Sequence, residues 1–181
     1  MPYWVNNEFA SDSNHPIFVA RSDTSITATP NYGIMGDKVY NAVWNDIADW
    51  IEVPNETILE PGKCYVFDGK NYVFSKKYMD EGIIGIHSDT AGICMGHKGK
   101  QKELRVSVAG FVLAYVDKVY SPGTPLTCGE NGILTEMKRE DTIQYPEKLI
   151  ATFWKDEPEK NWPKDHENAV TVNGRKWVKI R

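Results

Sequence analysis

The chain lacks the features that mark membrane proteins and nucleic-acid-binding proteins. No apolar run approaches the about 20 residues that a membrane-spanning helix needs. The N-terminus has no charged region followed by an apolar one, so no secretory signal is expected. Acidic residues outnumber basic ones by 25 to 21, and the net charge of −4 provides no positive field for nucleic acid. Membranes and nucleic acids are therefore not expected as partners.

Cysteine is also scarce, with only Cys64, Cys94 and Cys128, which lie far apart in the chain. An odd number of scattered cysteines argues against a disulfide framework and favours a reducing compartment. Cys94 and His97 have the spacing of half a zinc site, with His87 nearby, but no second half accompanies them. We interpret the three cysteines as small core residues and predict neither a metal nor a cofactor.

Aromatic residues, glycine and proline are plentiful, and together they favour short strands joined by tight turns. We predict a mainly β fold, more fully a β-rich α+β fold, in one compact domain of antiparallel strands and hairpins with one or two short helices. The helix candidate is Lys138–Tyr145, which Pro146 stops. The strand candidates are Cys64–Phe67, Tyr72–Ser75, Gly82–His87, Arg105–Val116 with an irregularity at Gly110, and Lys148–Trp154; a closing hairpin is predicted over Val170–Ile180, with Asn173-Gly174 as its turn.

The first 37 residues differ from the rest. They are polar and rich in Asn, Ser, Thr and Asp, and only Ile17–Ala20 and Ser25–Thr29 have the pattern of short strands. Few of these residues could anchor a core of their own. We predict a polar lead-in or shaft junction over residues 1–37, followed by the β domain over residues 38–181.

The stretch Val39–Val53 is the densest aromatic and acidic segment of the chain. Its apolar residues fit a short helix, while the alternation in its first half fits a strand nearly as well. Asp46 and Asp49 would share a side only on a helical turn or through a bend. Paired beside tryptophans, one carboxyl would have a raised pKa, as general acid/base chemistry requires. The alternative is an amphipathic segment with a solvated acidic face.

Two other features carry weaker indications. Ser88-Asp89-Thr90 resembles a cluster of hydroxyls with an acid, but such residues commonly cap or turn a chain, and we interpret them in that way. Trp4 and Trp162 could stack on sugars, although a tryptophan in a β protein is more often part of the core.

Several segments together, in their order along the chain, resemble a known family. They are VYNAVWNDIADW, a PGK turn, GIIGIHSDTAG, VAGFVLAYVD, SPGTPL, YPEKLIATFWK and the closing VNGRKWVKIR. This order resembles the C-terminal intramolecular-chaperone autocleavage domain of phage pre-neck appendage, tail-fibre and tail-spike proteins, a family of glutamic-type self-cleaving peptidases. The resemblance extends from Val39 to Arg181, and VNGRKWVKIR and the Asp-x-x-acid motif are its most specific parts.

The resemblance implies a virion tail protein, made in the bacterial cytoplasm, whose C-terminal domain helps a homotrimer fold below an upstream shaft and is then cut free. The cut precedes the Asp of a Ser-Asp-Tyr-Ala-Glu type motif. That Asp corresponds to Asp46 and the Glu to Asp49, so the implied catalytic residues are Asp46, Asp49 and Asn45, with Asn45–Asp46 as the scissile bond.

The motif departs from the family pattern at two positions. Asn45 replaces the Ser, so no hydroxyl is present there for an acyl shift, and Asp49 is one methylene shorter than Glu. A water activated by a carboxylate, or attack by the Asn45 side chain on its own carbonyl, would survive these changes. Two alternatives stay open: a non-cleaving trimer cap, and a tip module that binds host cell-wall glycan.

Overall fold

The chain divides into two compact units, Met1–Ala42 and Val43–Arg181. The computed structural model describes residues 27–28, 34–35, 46–96, 102–164 and 169–181. In the first unit, β1 (Thr27–Ala28) and β2 (Ile34–Met35) pair antiparallel. The strand candidate Ile17–Ala20 lies outside the described residues.

A seven-stranded sheet forms the larger part of the second unit. Its strands are β3 (Asp46–Glu52), β7 (Ala91–Met95), β8 (Glu103–Ala114), β9 (Pro125–Cys128), β10 (Leu134–Glu136), β11 (Ala151–Lys155) and β14 (Lys176–Ile180). They lie in the order β10-β9-β11-β14-β8-β3-β7. Neighbours are antiparallel except β3 and β7, which run parallel. β3 therefore lies between its antiparallel partner β8 and its parallel partner β7, which is the edge strand of the sheet.

Smaller elements complete the unit. A three-stranded sheet has the order β5-β4-β6, with β4 (Cys64–Phe67), β5 (Tyr72–Phe74) and β6 (Ile83–Ile86). A two-stranded ladder pairs β12 (Asn161–Trp162) with β13 (Val170–Thr171). The remaining elements are the helix α1 (Arg139–Gln144) and 3-10 turns at Glu130–Gly132 and Pro146–Lys148. Within the described ranges, neither α1 nor the 3-10 turns are long and apolar enough to cross a membrane.

The β-rich prediction is confirmed, and the apolar positions of the strands explain the core. The largest cluster of buried side chains joins residues of β4, β6, β8, β9, β10, β11 and β14. Its fully buried members include Cys64, Ile86, Val112, Leu126, Leu134 and Val178. A second cluster surrounds Tyr65 and Leu104, and a third surrounds Trp177. Burial of these side chains is the main force that holds the sheets together.

Two local predictions are confirmed at the level of single elements. The helix candidate forms as α1 and ends before Pro146, as proline requires. β4 and β5 form the expected hairpin, with Phe67 opposite Tyr72. Asp68 Oδ1 closes its loop by accepting the backbone N–H groups of Lys70 at 3.0 Å and Asn71 at 2.8 Å.

The C-terminal hairpin prediction is wrong. Asn173 and Gly174 do form the turn, with φ of 51° and 76°, and Arg175 N donates to Val172 O at 2.9 Å. The strands on either side nevertheless pair elsewhere, β13 with β12 and β14 with β11 and β8. Burial of Trp177 and Val178 in the large sheet outweighs the local hairpin preference.

Of two further expectations, one needs correction and one is confirmed. Cys64 and Cys128 are buried as predicted, but Cys94 is exposed, because β7 is the edge strand of its sheet. In β8 the expected irregularity at Gly110 is present, because this residue has a φ of 98° inside the strand. The register against β3 passes from Ala109 to Ser107, so Val108 is the extra residue of the adjoining bulge.

Candidate active site

The site is organised by Asp46, the first residue of β3. Residues 46–52 form a strand and not a helical turn, while the first half of the Val39–Val53 stretch lies outside the described residues. Asp46 lies opposite Gly110 of β8 on one side and opposite Ala91 of β7 on the other. The carboxyl group is therefore held where three strands meet.

Asp46 is a buried carboxyl with one satisfied and one unsatisfied oxygen. Asp46 is only 5 % exposed to solvent. Oδ1 accepts a hydrogen bond from Thr90 Oγ1 at 2.8 Å, while Oδ2 is buried and accepts no hydrogen bond from the residues that the structure describes. A buried carboxylate normally fills its acceptor positions, so an unfilled oxygen at this depth requires an explanation.

Hydroxyl groups from two other segments surround this carboxyl. Ser88 and Thr90 are fully buried in the loop that precedes β7, and Ser107 of β8 is 5 % exposed. Thr90 N donates to Ser88 Oγ at 3.0 Å, and the two hydroxyl oxygens are 3.4 Å apart. Arg105 Nε donates to the Ser88 carbonyl at 2.6 Å, which fixes the loop against β8. Together these contacts hold Thr90 against Asp46.

The pKa of Asp46 is raised above its ordinary value. Burial is the main cause, because it disfavours the charged form. The hydroxyls of Ser88, Ser107 and Thr90 and the positive charge of Arg105 act in the opposite direction without cancelling the effect. A buried carboxyl with a raised pKa is suited to accept a proton and return it within one reaction.

Asp49 does not join Asp46. Side chains alternate along a strand, so residues three apart point to opposite faces. The extra residues at the register shifts belong to β7 and β8, and β3 itself keeps its alternation. The paired arrangement of the two acids that the sequence suggested therefore does not form in β3. Asn45 lies outside the described residues, and the catalytic roles assigned from the sequence stay predictions.

The residues that the sequence interpretation missed are Ser88, Thr90 and Ser107. Ser88-Asp89-Thr90 was recognised as a cluster, but its turn interpretation did not indicate which side chain it would contact. Ser107 is a polar residue inside the apolar run of β8, and this position in the sequence is the one signal that could have indicated a role. Only the pairing of β3 with both β7 and β8 brings these hydroxyls to Asp46.

The middle residue of that cluster, Asp89, has a separate partner. Arg175 Nη1 donates to Asp89 Oδ1 at 2.7 Å and Nη2 to Oδ2 at 2.9 Å. The same guanidinium donates to the carbonyls of Thr171 and Val172. Arg175 is 2 % exposed, and Gly62 with φ of 87° leaves the space that it occupies. The ion pair ties the Ser88–Thr90 loop to the C-terminal turn.

Those remaining candidates that the structure describes do not assemble into a second site. Trp162 is half-buried, and its ring packs edge-to-face on Trp177 with centroids 4.9 Å apart. Trp4 and His97 lie outside the described residues. In the parts of the chain that the structure describes, no group of three or more His, Cys, Asp or Glu side chains could hold a metal ion.

Comparison with known proteins gives two similar structures. No protein-family model and no curated protein matches the chain. The pre-mature gene product 12 of bacteriophage phi29 is similar in structure, at 14% identity and a TM-score of 0.49. The similarity covers 86% of this chain and 24% of the phage protein's chain. A C-terminal fragment of the same phage protein is also similar, at 14% identity and a TM-score of 0.42. The similarity covers 75% of this chain and 98% of the fragment. The chain thus spans about a quarter of the first of these proteins.

Proposed function

We propose that this chain carries the C-terminal intramolecular-chaperone domain of a phage tail appendage or tail-fibre protein and cuts itself at Asn45–Asp46. The observation that carries the proposal is the state of Asp46. The residue that the family resemblance places directly after the cut is a buried carboxyl with a raised pKa. One of its oxygens accepts a hydrogen bond from a hydroxyl, and the other accepts none from the described part of the chain. A purely structural acid would be expected to satisfy both oxygens.

The proposed chemistry needs a single carboxyl. The ionised Asp46 side chain accepts the proton of the attacking oxygen, and the resulting acid gives that proton to the departing nitrogen, which is the backbone nitrogen of Asp46 itself. One group thus serves as base and then as acid. Asp49 on the opposite face of β3 has no part in this scheme.

The assembly role is proposed on the family resemblance. A folded domain at the end of three chains would hold them in register and reduce the entropy that the upstream shaft must lose on assembly. The expected state is a homotrimer. Light scattering on the full chain tests it, and a monomeric mass at micromolar concentration would contradict it.

Replacing Asp46 with asparagine is expected to slow cleavage at least about 100-fold, because the variant keeps the shape of the side chain and loses its proton chemistry. The full chain is followed on denaturing gels, and mass spectrometry identifies fragments 1–45 and 46–181. Asp49→Asn is the matched control and should cleave at the original rate. Since a base must be ionised, cleavage by the unaltered chain should speed up as the pH rises through the raised pKa of Asp46.

Two results would overturn this proposal. An Asp46→Asn variant that cleaves as fast as the unaltered chain removes the carboxyl from the mechanism. An unaltered chain that stays intact over days removes self-cleavage, and a trimeric mass in that case identifies a non-cleaving cap.

A further inference from the structure

We propose that the buried thiols of Cys64 and Cys128 are a redox-active pair, which hydrogen peroxide converts to a disulfide between β4 and β9. The inference does not depend on the proposed self-cleavage, because the segments that bring hydroxyls to Asp46 are β8 and the loop before β7.

The two thiols share one buried environment. Both cysteines are free and 0% exposed, and both belong to the largest cluster of core side chains. β4 is the central strand of the three-stranded sheet, and β9 is a strand of the seven-stranded sheet. A disulfide between them would therefore join the two sheets through the core.

Backbone contacts hold the two cysteines close to each other. Ser75 N donates to the Cys64 carbonyl at 3.1 Å, and the buried Ser75 hydroxyl donates to the carbonyl of Gly129 at 2.7 Å. Gly129 directly follows Cys128, whose own carbonyl accepts the N–H of Met79 at 3.1 Å. Ser75 thus ties β4 to the end of β9.

The thiols are also hydrogen-bonded to each other, which makes them unequal. This bond raises the pKa of Cys64 and lowers the pKa of Cys128 to about 7, although burial raises both. The backbone N–H of Asp80 donates to Cys128 Sγ at 3.2 Å and favours the thiolate, while the Asp80 carboxylate opposes it. The thiolate is the reactive form of cysteine, so Cys128 is the attacking thiol and Cys64 the resolving one. Two thiols already in contact need only a small approach to reach the about 2 Å of a disulfide bond.

The reaction balances with one molecule of hydrogen peroxide as the oxidant. The Cys128 thiolate attacks one peroxide oxygen, the O–O bond breaks, and the departing hydroxide combines with the proton that Cys128 released. The Cys64 sulfur then attacks the sulfur of the resulting sulfenic acid. The S–O bond breaks, and the second hydroxide takes the proton of Cys64. Two electrons pass from the thiols to the peroxide, and the products are one disulfide and two molecules of water.

The full chain with Cys94→Ser tests the pair, because the exposed thiol of Cys94 could otherwise link one molecule to another. After native treatment with hydrogen peroxide, the thiols counted in the denatured protein should fall from two to none, and a reductant should restore both. Trypsin digestion without reductant should yield peptide 64–70 joined to peptide 119–138, which mass spectrometry identifies. A protein that keeps both thiols, or whose thiols the reductant cannot restore, overturns the proposal.

Cys64→Ser and Cys128→Ser, each added to the Cys94→Ser chain, test the two roles. Serine keeps a hydrogen-bond donor at either position. In the Cys64→Ser protein, peroxide should convert Cys128 to a sulfenic acid that dimedone labels. In the Cys128→Ser protein, Cys64 should be labelled at least about tenfold more slowly, because burial keeps its pKa raised. Labelling of both proteins at the same rate would contradict Cys128 as the attacking thiol.

Urea denaturation of the Cys94→Ser chain shows whether the disulfide fits the folded structure. The bond closes a loop of about 65 residues, so it should lower the unfolding equilibrium constant by up to about 1,000-fold and raise the urea midpoint. Peroxide treatment of the Cys64→Ser protein should not raise its midpoint. An oxidised chain that unfolds at lower urea than the reduced chain would overturn the proposal, since the disulfide would then be incompatible with the native core.

Discussion

Replacing Arg175 with methionine is expected to lower the free energy of unfolding by about 3 kcal/mol, at the lower end of the cost of breaking a buried ion pair. The side chain of Arg175 is 3% exposed and that of Asp89 19%, and the two are joined by two hydrogen bonds. The substitution leaves the Asp89 carboxylate without its charge partner. It also removes the donors to the carbonyls of Thr171 and Val172.

Urea denaturation of the full chain measures this loss, and the neighbouring residue provides the control. Lys176 forms an ion pair with Asp156, whose side chain is 54% exposed, so Lys176→Met should cost less than about 1 kcal/mol. Adding Asp89→Asn to Arg175→Met should restore part of the stability, because it removes the unpaired charge. Equal losses of unfolding free energy in the Arg175 and Lys176 variants would show that the buried ion pair contributes no more to stability than the exposed one.

Acidification is expected to destabilise the second unit through His87, by roughly 3 kcal/mol between pH 7 and below pH 4. Burial lowers the pKa of His87 from 6.5 to about 4, and the positive charges of Arg105 and Arg175 add to the effect, while the charge of Asp89 and a hydrogen bond to the Glu60 backbone oppose it. Its Nδ1 is buried and has no hydrogen-bond partner within the described ranges. Between pH 6.5 and about 4, His87 is therefore protonated in the unfolded chain and neutral in the folded chain.

The sign follows from that difference. The contribution of His87 to stability is complete above pH 6.5 and is lost as the pH falls through the folded-state value of about 4. His87→Gln retains an amide N–H that could donate to the Glu60 backbone and has no titration in this range. The urea midpoint of the variant should fall less with acidification than that of the unaltered chain. Parallel pH profiles for the two proteins would remove His87 as the cause.

The sequence was informative where neighbours along the chain decide the structure. The α1 helix stopped by Pro146 and the β4–β5 hairpin with its Asp68 loop both follow from local rules. The same rules failed for the C-terminal hairpin. The turn at Asn173-Gly174 forms, yet the strand after it pairs where Trp177 and Val178 can be buried.

For the site, the sequence indicated Asp46 but not its surroundings. The argument from spacing joined it to Asp49, which is correct only on a helical turn, and β3 is a strand. Thr90 and Ser107 reach Asp46 through ladders between segments that are distant in sequence. Periodicity carries no information on such pairing, because it reports which face of an element is buried and not which element covers it.

Under the proposed self-cleavage, the position of β3 also determines when the cut can happen. Asp46 comes early in this unit, but Thr90 precedes β7 and Ser107 lies within β8, so both partner segments are synthesised after it. Until those strands have docked on either side of β3, the carboxyl remains hydrated and has no hydroxyl beside it. Cleavage at this bond would then act as a checkpoint, in which only a chain that has completed its sheet becomes competent for release.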